Sequence, residues 1–369
     1  MVPVLQVDRQ ETRRQLARAT RWLTREVHLL RDARAERSTG GPNDFYSEGD
    51  YWWPNPADRG GPYIRRDGES NPDCFNSHRK YLMDMALCVA HCAAAYGITM
   101  RREFADKADD VLRRWFVEPS TAMTPNLEHA QAIKGVCDGR GIGIIDTIHL
   151  AECTLAVLRL EELAALPNAT VDGVKHWFSN YLRWLKESPN GQDERCHPNN
   201  HGACWYLQVA AFALLCGNRL TVEECGRAFE EFLLPMMDDR GAFPAELART
   251  KPFGYSCFQM DVMAALATLL SWGGDNWFVR ADNAGHNLER AMLFLYPFLL
   301  DKSKWPFQQD VMHWDEQPNR PISLLFCGFH LQKTEYIELW RRLPWRSRPW
   351  ELLRNSPVRV PQLWGKRMD

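Results

Sequence analysis

Residues 195–206 of this chain read RCHPNNHGACWY, with two histidines four residues apart, cysteines flanking them and two asparagines between them. Three chemistries suit those residue types. A metal would need His197 and His201 on one helical face. Pro198 turns His197 away from helical geometry, and no Glu lies between the histidines in the zincin manner. No metal or other cofactor is therefore expected. A thiol nucleophile needs an activated cysteine. Cys204 falls on the apolar pattern of ACWYLQVAAFALL and reads as core, while nothing marks Cys196 as activated. The third chemistry is anion binding. Asn199 or Asn200 suits the N-cap of a helix starting near Gly202. His201 then sits in the first turn, beside free backbone N–H groups and the positive end of the helix dipole. Amide, imidazole and helix start together would hold a carboxylate; a capped helix with an incidental histidine fits the spacing equally well. His197 reads as incidental.

A second segment shifts that balance. Residues 245–256, AELARTKPFGYS, bring Arg249 and Tyr255 into one Pro/Gly-bent loop ahead of the next long helix. Arginine grips a carboxylate through two parallel hydrogen bonds. A tyrosine beside that cation has its phenolate form favoured and can serve as a base. Lys134 and Arg140, in QAIKGVCDGRG, are cations suited to a polyanion, with solvated charges the equal alternative. GRGIGIID at 139–146 spaces its glycines as a turn but follows no strand, so a dinucleotide fingerprint is not supported. Carboxylates such as Asp146 and Glu194, opposed across a cleft, would make a glycosidase, which is the alternative enzyme reading. A non-catalytic carbohydrate-binding protein using aromatic loops is the third.

The elements that must position these residues are helical. Asp8-x-x-Glu11 resembles a capping box opening an amphipathic helix, with Leu16, Leu23, Val27 and Leu30 on one face. Periodicity predicts further helices over about 79–96, 104–116, 145–163, 171–186, 202–216, 222–236, 257–271, 286–299 and 334–342, the one near 222 with a box of its own, Thr221-x-x-Glu224. No stretch alternates as strands do. Long loops at roughly 38–78, 118–143, 188–200, 238–256 and 301–320 hold most of the Gly, Pro and clustered aromatics, and loops of that length are usually functional. The expectation is an all-α protein: a single domain over 1–369, a toroid or barrel of helical hairpins whose loops converge on one cleft.

Composition narrows the partners. A net charge of -2 over 369 residues makes no case for nucleic acid or a membrane surface. No apolar run approaches the length of a membrane span. The 15 tryptophans suit a large core, but Tyr51-Trp52-Trp53 stands among Pro and Gly like a cleft wall on which sugar rings can stack. Eleven cysteines without a CxxC pair, several on apolar helical faces, suggest free thiols in a reducing compartment. The N-terminus is not a secretory signal. A cytoplasmic location is expected, with a secreted or periplasmic one if a signal has been removed.

Taken together, DFYSEGDYWWPNPADRGGPYIRRDGESNP at 44–72, NNHG at 199–202 and ELARTKPFGYS at 246–256 resemble the alginate lyase superfamily of polysaccharide lyases, across roughly 40–330. The resemblance implies an (α/α) toroid and metal-independent β-elimination of a uronic-acid polymer such as alginate, polymannuronate or glucuronan. The family's Asn–His pair matches Asn200 and His201, and its Arg and catalytic Tyr match Arg249 and Tyr255. Glu194 corresponds to an acidic residue beside the histidine. Trp52, Trp53 and Arg66 of the aromatic loop, with Asn199, Lys134 and Arg140, are then expected to face an anionic poly- or oligosaccharide. Neutralising the uronate carboxylate would stabilise the enolate-like intermediate. In mannuronate or glucuronate the C5 proton and the C4 oxygen share a face, so Tyr255 could be base and then acid. In guluronate they do not, and His201 is the natural base. Family members are usually exported, whereas a cytoplasmic location is the expectation for this chain.

Overall fold

Some helical segments of this chain are apolar all round and others on one stripe only, and that difference sorts them into two shells. The computed structural model describes residues 9–58 and 60–365. In chain order its helices are α1 (Arg9–Thr24), α2 (Ser77–Thr99), α3 (Arg102–Leu112), α4 (Leu150–Glu162), α5 (Asn168–Glu187), α6 (Pro189–Arg195) and α7 (Asn200–Leu215). They continue with α8 (Arg219–Ala228), α9 (Pro244–Leu247), α10 (Pro252–Leu270), α11 (Leu288–Leu300), α12 (Ile322–His330), α13 (Thr334–Arg342) and α14 (Trp350–Arg354). The inner shell runs α2 to α4 to α7 to α10 to α12, each packed on the next. Outside it, α1 and α3 lie on α2, α5 and α8 on α7, α11 on α10, and α13 on α12. The architecture is the expected all-α toroid.

Sequence explains the sorting. In α10, PFGYSCFQMDVMAALATLL, every residue but Gly254 is buried. In α3, REFADKADDVL, burial is confined to Phe104, Ala105, Ala108, Val111 and Leu112, one stripe at helical spacing. The inner helices also correct an expectation. By length and composition, Ser77–Thr99 and Pro252–Gly273 could each cross a membrane, but 78% and 94% of their apolar windows are buried inside the protein.

Several boundaries differ from those read by periodicity. The segment expected at 145–163 divides into a 3₁₀ stretch, Gly141–Thr147, and α4. Helix α12, ISLLFCGFH, was not anticipated because a short apolar run has no period to read. The box at Thr221 is no cap: α8 starts earlier, and the Asn218 side chain takes the Thr221 N–H at 3.2 Å. Thr221 and Glu224 instead receive the Lys186 ammonium, at 3.0 and 2.9 Å. Asp8 of the first box lies outside the described residues.

Two small ladders gather the long loops at one rim. β1 (Tyr46–Glu48) pairs in parallel with β4 (His129–Ala132), and β2 (Trp52–Trp53) pairs antiparallel with β3 (Ile64–Arg65). At the end of the chain a strap, residues 350–364, crosses back over α4. The buried Glu152 carboxylate accepts the N–H groups of Arg359 at 2.9 Å and Val360 at 2.7 Å, and the Trp364 indole at 3.0 Å. Gln15 of α1 donates to the Arg359 carbonyl at 3.1 Å, so the strap joins the first helix to the inner ring. All eleven cysteines are unpaired; Cys204 is core and Cys196 exposed.

Candidate active site

At that rim a cavity of about 570 Å³ is walled by the start of α7, the start of α10, the β2–β3 hairpin, the turn before α4 and the strap. The turn from α6 into α7 is close-packed. A Cβ on Gly202 would stand 2.3 Å from the His197 carbonyl oxygen, so only glycine lets α7 begin there. Asn199 is the N-cap, its side-chain oxygen taking the His201 N–H at 3.1 Å. Glu246, fully buried on α9, takes the Asn200 backbone N–H at 2.7 Å and the Asn200 amide nitrogen at 2.8 and 2.9 Å. The N–H groups of Asn200 and His201 are thus taken by the protein's own side chains. At those two positions the free N–H groups expected for an anion are not available.

His201 itself is held by Glu194, whose Oε1 lies 2.9 Å from Nδ1. A carboxylate only accepts, so the ring proton belongs on Nδ1 and the Nε2 lone pair is left open. Glu194 is wholly buried at the end of α6, while His201 lines the cavity.

Helix α10 starts at Pro252, not near 257, which moves Tyr255 out of the anticipated loop into the first helical turn. The Asp310 carboxylate caps that start, accepting the N–H groups of Phe253 and Gly254 at 2.9 Å each. Burial raises the Asp310 pKa to about 6 against those two hydrogen bonds. The Tyr255 hydroxyl meets the Tyr51 hydroxyl at 2.7 Å, and the Arg249 guanidinium sits 4.5 Å from the Tyr255 ring centre. Burial pushes the Tyr255 pKa well above its ordinary value, although Arg249 and the Tyr51 hydroxyl pull it down. The expectation that Arg249 makes the phenolate the favoured form is reversed: with Tyr255 only 7% exposed, desolvation outweighs the cation. Arg249 is also not an open clamp. Its Nε and Nη2 grip Asp67 of the aromatic loop, at 3.0 and 2.8 Å. Those contacts hold Asp67 well below the usual carboxylate range despite its burial.

Of the other expected contacts, Asn199, Trp52 and Arg140 line the cavity. Arg140 is steadied by the Gln131 carbonyl and side-chain oxygen, both at 3.0 Å, and lies 5.8 Å from the Trp52 ring. Trp53, Arg66 and Lys134 do not line it. Successive strand residues point to opposite faces, so Trp53 turns away and donates to the Glu69 carbonyl at 2.9 Å. Arg66 stacks on Trp53 at 5.0 Å, and Lys134 lies over Tyr63 at 5.5 Å. His197, read as incidental, is in the wall, its ring centre 5.6 Å from that of His201. Tyr51, Arg65, Gln131, Arg354 and Asn355 also line the site. Tyr51 had a signal in the aromatic cluster, whereas Arg354 stands in a sequence context with none. Asp146 is committed to Arg79 at 2.9 Å and Ser47 at 2.6 Å, so it is poorly placed for the carboxylate pair of a hydrolase.

Residues 29–305 match the family model for alginate lyase. The chain belongs to the alginate lyase family. It is a polysaccharide lyase, which sets aside the hydrolase and non-catalytic alternatives. An alginate lyase from Bacteroides ovatus shares 28% identity with this family member at a TM-score of 0.83, over 96% of this chain and 92% of that one. Alginate lyase A1-III from Sphingomonas species A1 has the same fold at 15% identity and a TM-score of 0.61, covering 96% of this chain and 95% of its own. A histidine-to-alanine variant of A1-III complexed with a tetrasaccharide matches at 15% identity and a TM-score of 0.60, over 96% and 95% of the two chains. No curated protein matches the chain.

Proposed function

We propose that this lyase cleaves a β-1,4-linked polyuronate, polymannuronate or glucuronan, by β-elimination with Tyr255 as base and then acid. The observation that carries the reading is the meeting of the Tyr255 and Tyr51 hydroxyls at 2.7 Å, with Arg249 against the Tyr255 ring, in the cavity that His201 also lines. The Tyr255 phenolate removes the C5 proton, the C5 electron pair forms the C4=C5 bond, and the C4–O bond breaks. The new phenol then protonates the departing O4, which regenerates the phenolate. Developing negative charge on the uronate is met by Arg140 in the cavity wall and by the charge of Arg249 beside the Tyr255 ring. Supporting the polyuronate reading are the family and the A1-III tetrasaccharide complexes.

A second reading rests on a separate observation. The Nδ1 contact with Glu194 leaves His201 Nε2 as an open base, which suits removal of the guluronate C5 proton from the opposite face while Tyr255 protonates O4. Incubation with polymannuronate, polyguluronate and glucuronan, followed by ultraviolet absorbance of the unsaturated uronate, tests both. Absorbance growing on polymannuronate or glucuronan supports the first, growth on polyguluronate alone supports the second, and silence on all three defeats the uronan assignment.

A further inference from the structure

The Tyr51–Tyr255 pair rests on a buried cation that the elimination steps above leave unused. Lys251, the N-cap of α10, is 4% exposed and does not line the cavity. Its ammonium lies 5.0 Å from the centre of the Tyr51 ring and 5.8 Å from that of Tyr255. Among the described residues no other cation lies over both rings; Arg249 lies over Tyr255 alone.

The counter-ion comes from the strap. Glu351, also buried, takes the Lys251 ammonium on Oε1, while its Oε2 accepts the Ser70 hydroxyl at 2.9 Å and lies 3.3 Å from His313 Nε2. Burial acts to raise the Glu351 pKa, but the contacts with His313, Lys251 and Ser70 outweigh it and hold it down at about 2. The carboxylate is therefore ionised at neutral pH. After burial, it is among the groups that strengthen the hold of Tyr51 and Tyr255 on their protons. Lys251 brings the opposite sign to the same place. The other charges around the pair are committed elsewhere. Arg249 grips Asp67, Asp310 caps α10, and His201 faces Glu194. Arg354 and Arg79 share Asp50, with Arg354 also 3.8 Å from Glu351. A phenolate formed in such dry surroundings needs positive charge close by.

We propose that Lys251 is a positioning residue for the elimination, its ammonium steadying the Tyr255 phenolate from beneath the Tyr51–Tyr255 pair while Glu351 of the strap opposes it. The inference rests on the reading of Tyr255 as base and then acid. It gives the strap a part in the chemistry, because the strap carboxylate sets how much of the Lys251 charge the tyrosines feel.

Lys251→Met and Glu351→Gln break the same buried ion pair. A tie that merely held the strap in place would fail alike in both, whereas the two charges predict opposite effects. Both variants and Tyr255→Phe are assayed at pH 7 by ultraviolet absorbance on polymannuronate, or on glucuronan if that is inert. Lys251→Met leaves less phenolate at a given pH, so kcat should fall about tenfold with KM within about twofold of the parent. Glu351→Gln removes the anion and keeps an acceptor for the ammonium, so kcat should rise about twofold or more and its climb with pH should start lower. A shared loss of kcat, or a Lys251→Met enzyme as fast as the parent, overturns the proposal. Should Lys251→Met fail to fold, Glu351→Gln decides: a rise in kcat supports the proposal and no rise overturns it. A fully active Tyr255→Phe enzyme overturns the Tyr255 reading and this inference with it. An inactive Tyr255→Phe beside an unimpaired Lys251→Met overturns this inference alone.

Discussion

The starts of α7 and α10 deliver the two groups proposed to react, and they are built alike up to a point. Each start is capped by a carboxylate from another element: Glu246 on Asn200 of α7, Asp310 on Phe253 and Gly254 of α10. Neither is an open anion hole. Beyond the caps they diverge. His201 is oriented by a buried carboxylate, which selects the tautomer with a free Nε2. Tyr255 is oriented by a neutral hydroxyl and a cation over its ring, in surroundings dry enough to hold its proton on. A helix start thus supplies position, while the surroundings set the proton: a carboxylate partner for His201 and desolvation for Tyr255.

The sharpest break in that comparison is Tyr255→Phe, which should lower kcat by about 10³-fold while leaving saccharide binding largely intact. Absorbance assays paired with calorimetry check it, and an active variant removes Tyr255 from the chemistry. His201→Ala should cost about 10²-fold on polymannuronate and more on polyguluronate, which a side-by-side absorbance assay reads out. Equal losses on the two polymers would mean that His201 is not a base for either. Glu194→Gln should retain the fold and lower kcat by roughly 10-fold or more through loss of the Nδ1–H tautomer, with KM little changed. The proton on Tyr255 gives a pH test. Below the raised pKa, each unit of pH increases the phenolate fraction tenfold, so kcat on polymannuronate should climb from neutral toward alkaline pH. Tyr51→Phe removes one of the contacts that lower that pKa and should displace the climb further upward in pH. The smallest effect belongs to the face turned away: Trp53→Ala and Arg66→Ala should each leave kcat/KM within about twofold of the parent and change Tm little.

The difference between Trp52 and Trp53 shows why the site was only partly legible. Both are tryptophans in one motif, and only the pleat of β2 against β3 assigns one to the cavity and the other to the outside. Lys134 fails for a similar reason, since charge and loop position mark it as a candidate but its contact is with Tyr63. Arg354 lies 153 residues beyond His201, and nothing local ties it to the site. The mistaken phenolate expectation arose because a sequence displays the cation and hides the desolvation.

Determined by the sequence alone were the helical class, the shell to which long helices such as α3 and α10 belong, the capped start carrying His201 and the motifs of the family, because periodicity, capping and turn chemistry act within a few residues. Tertiary structure alone decided that Asp67 occupies Arg249, that Glu246 occupies Asn200, and that burial holds the proton on Tyr255. Those outcomes depend on which distant groups meet and how much water they exclude, and both quantities exist only once the chain has folded.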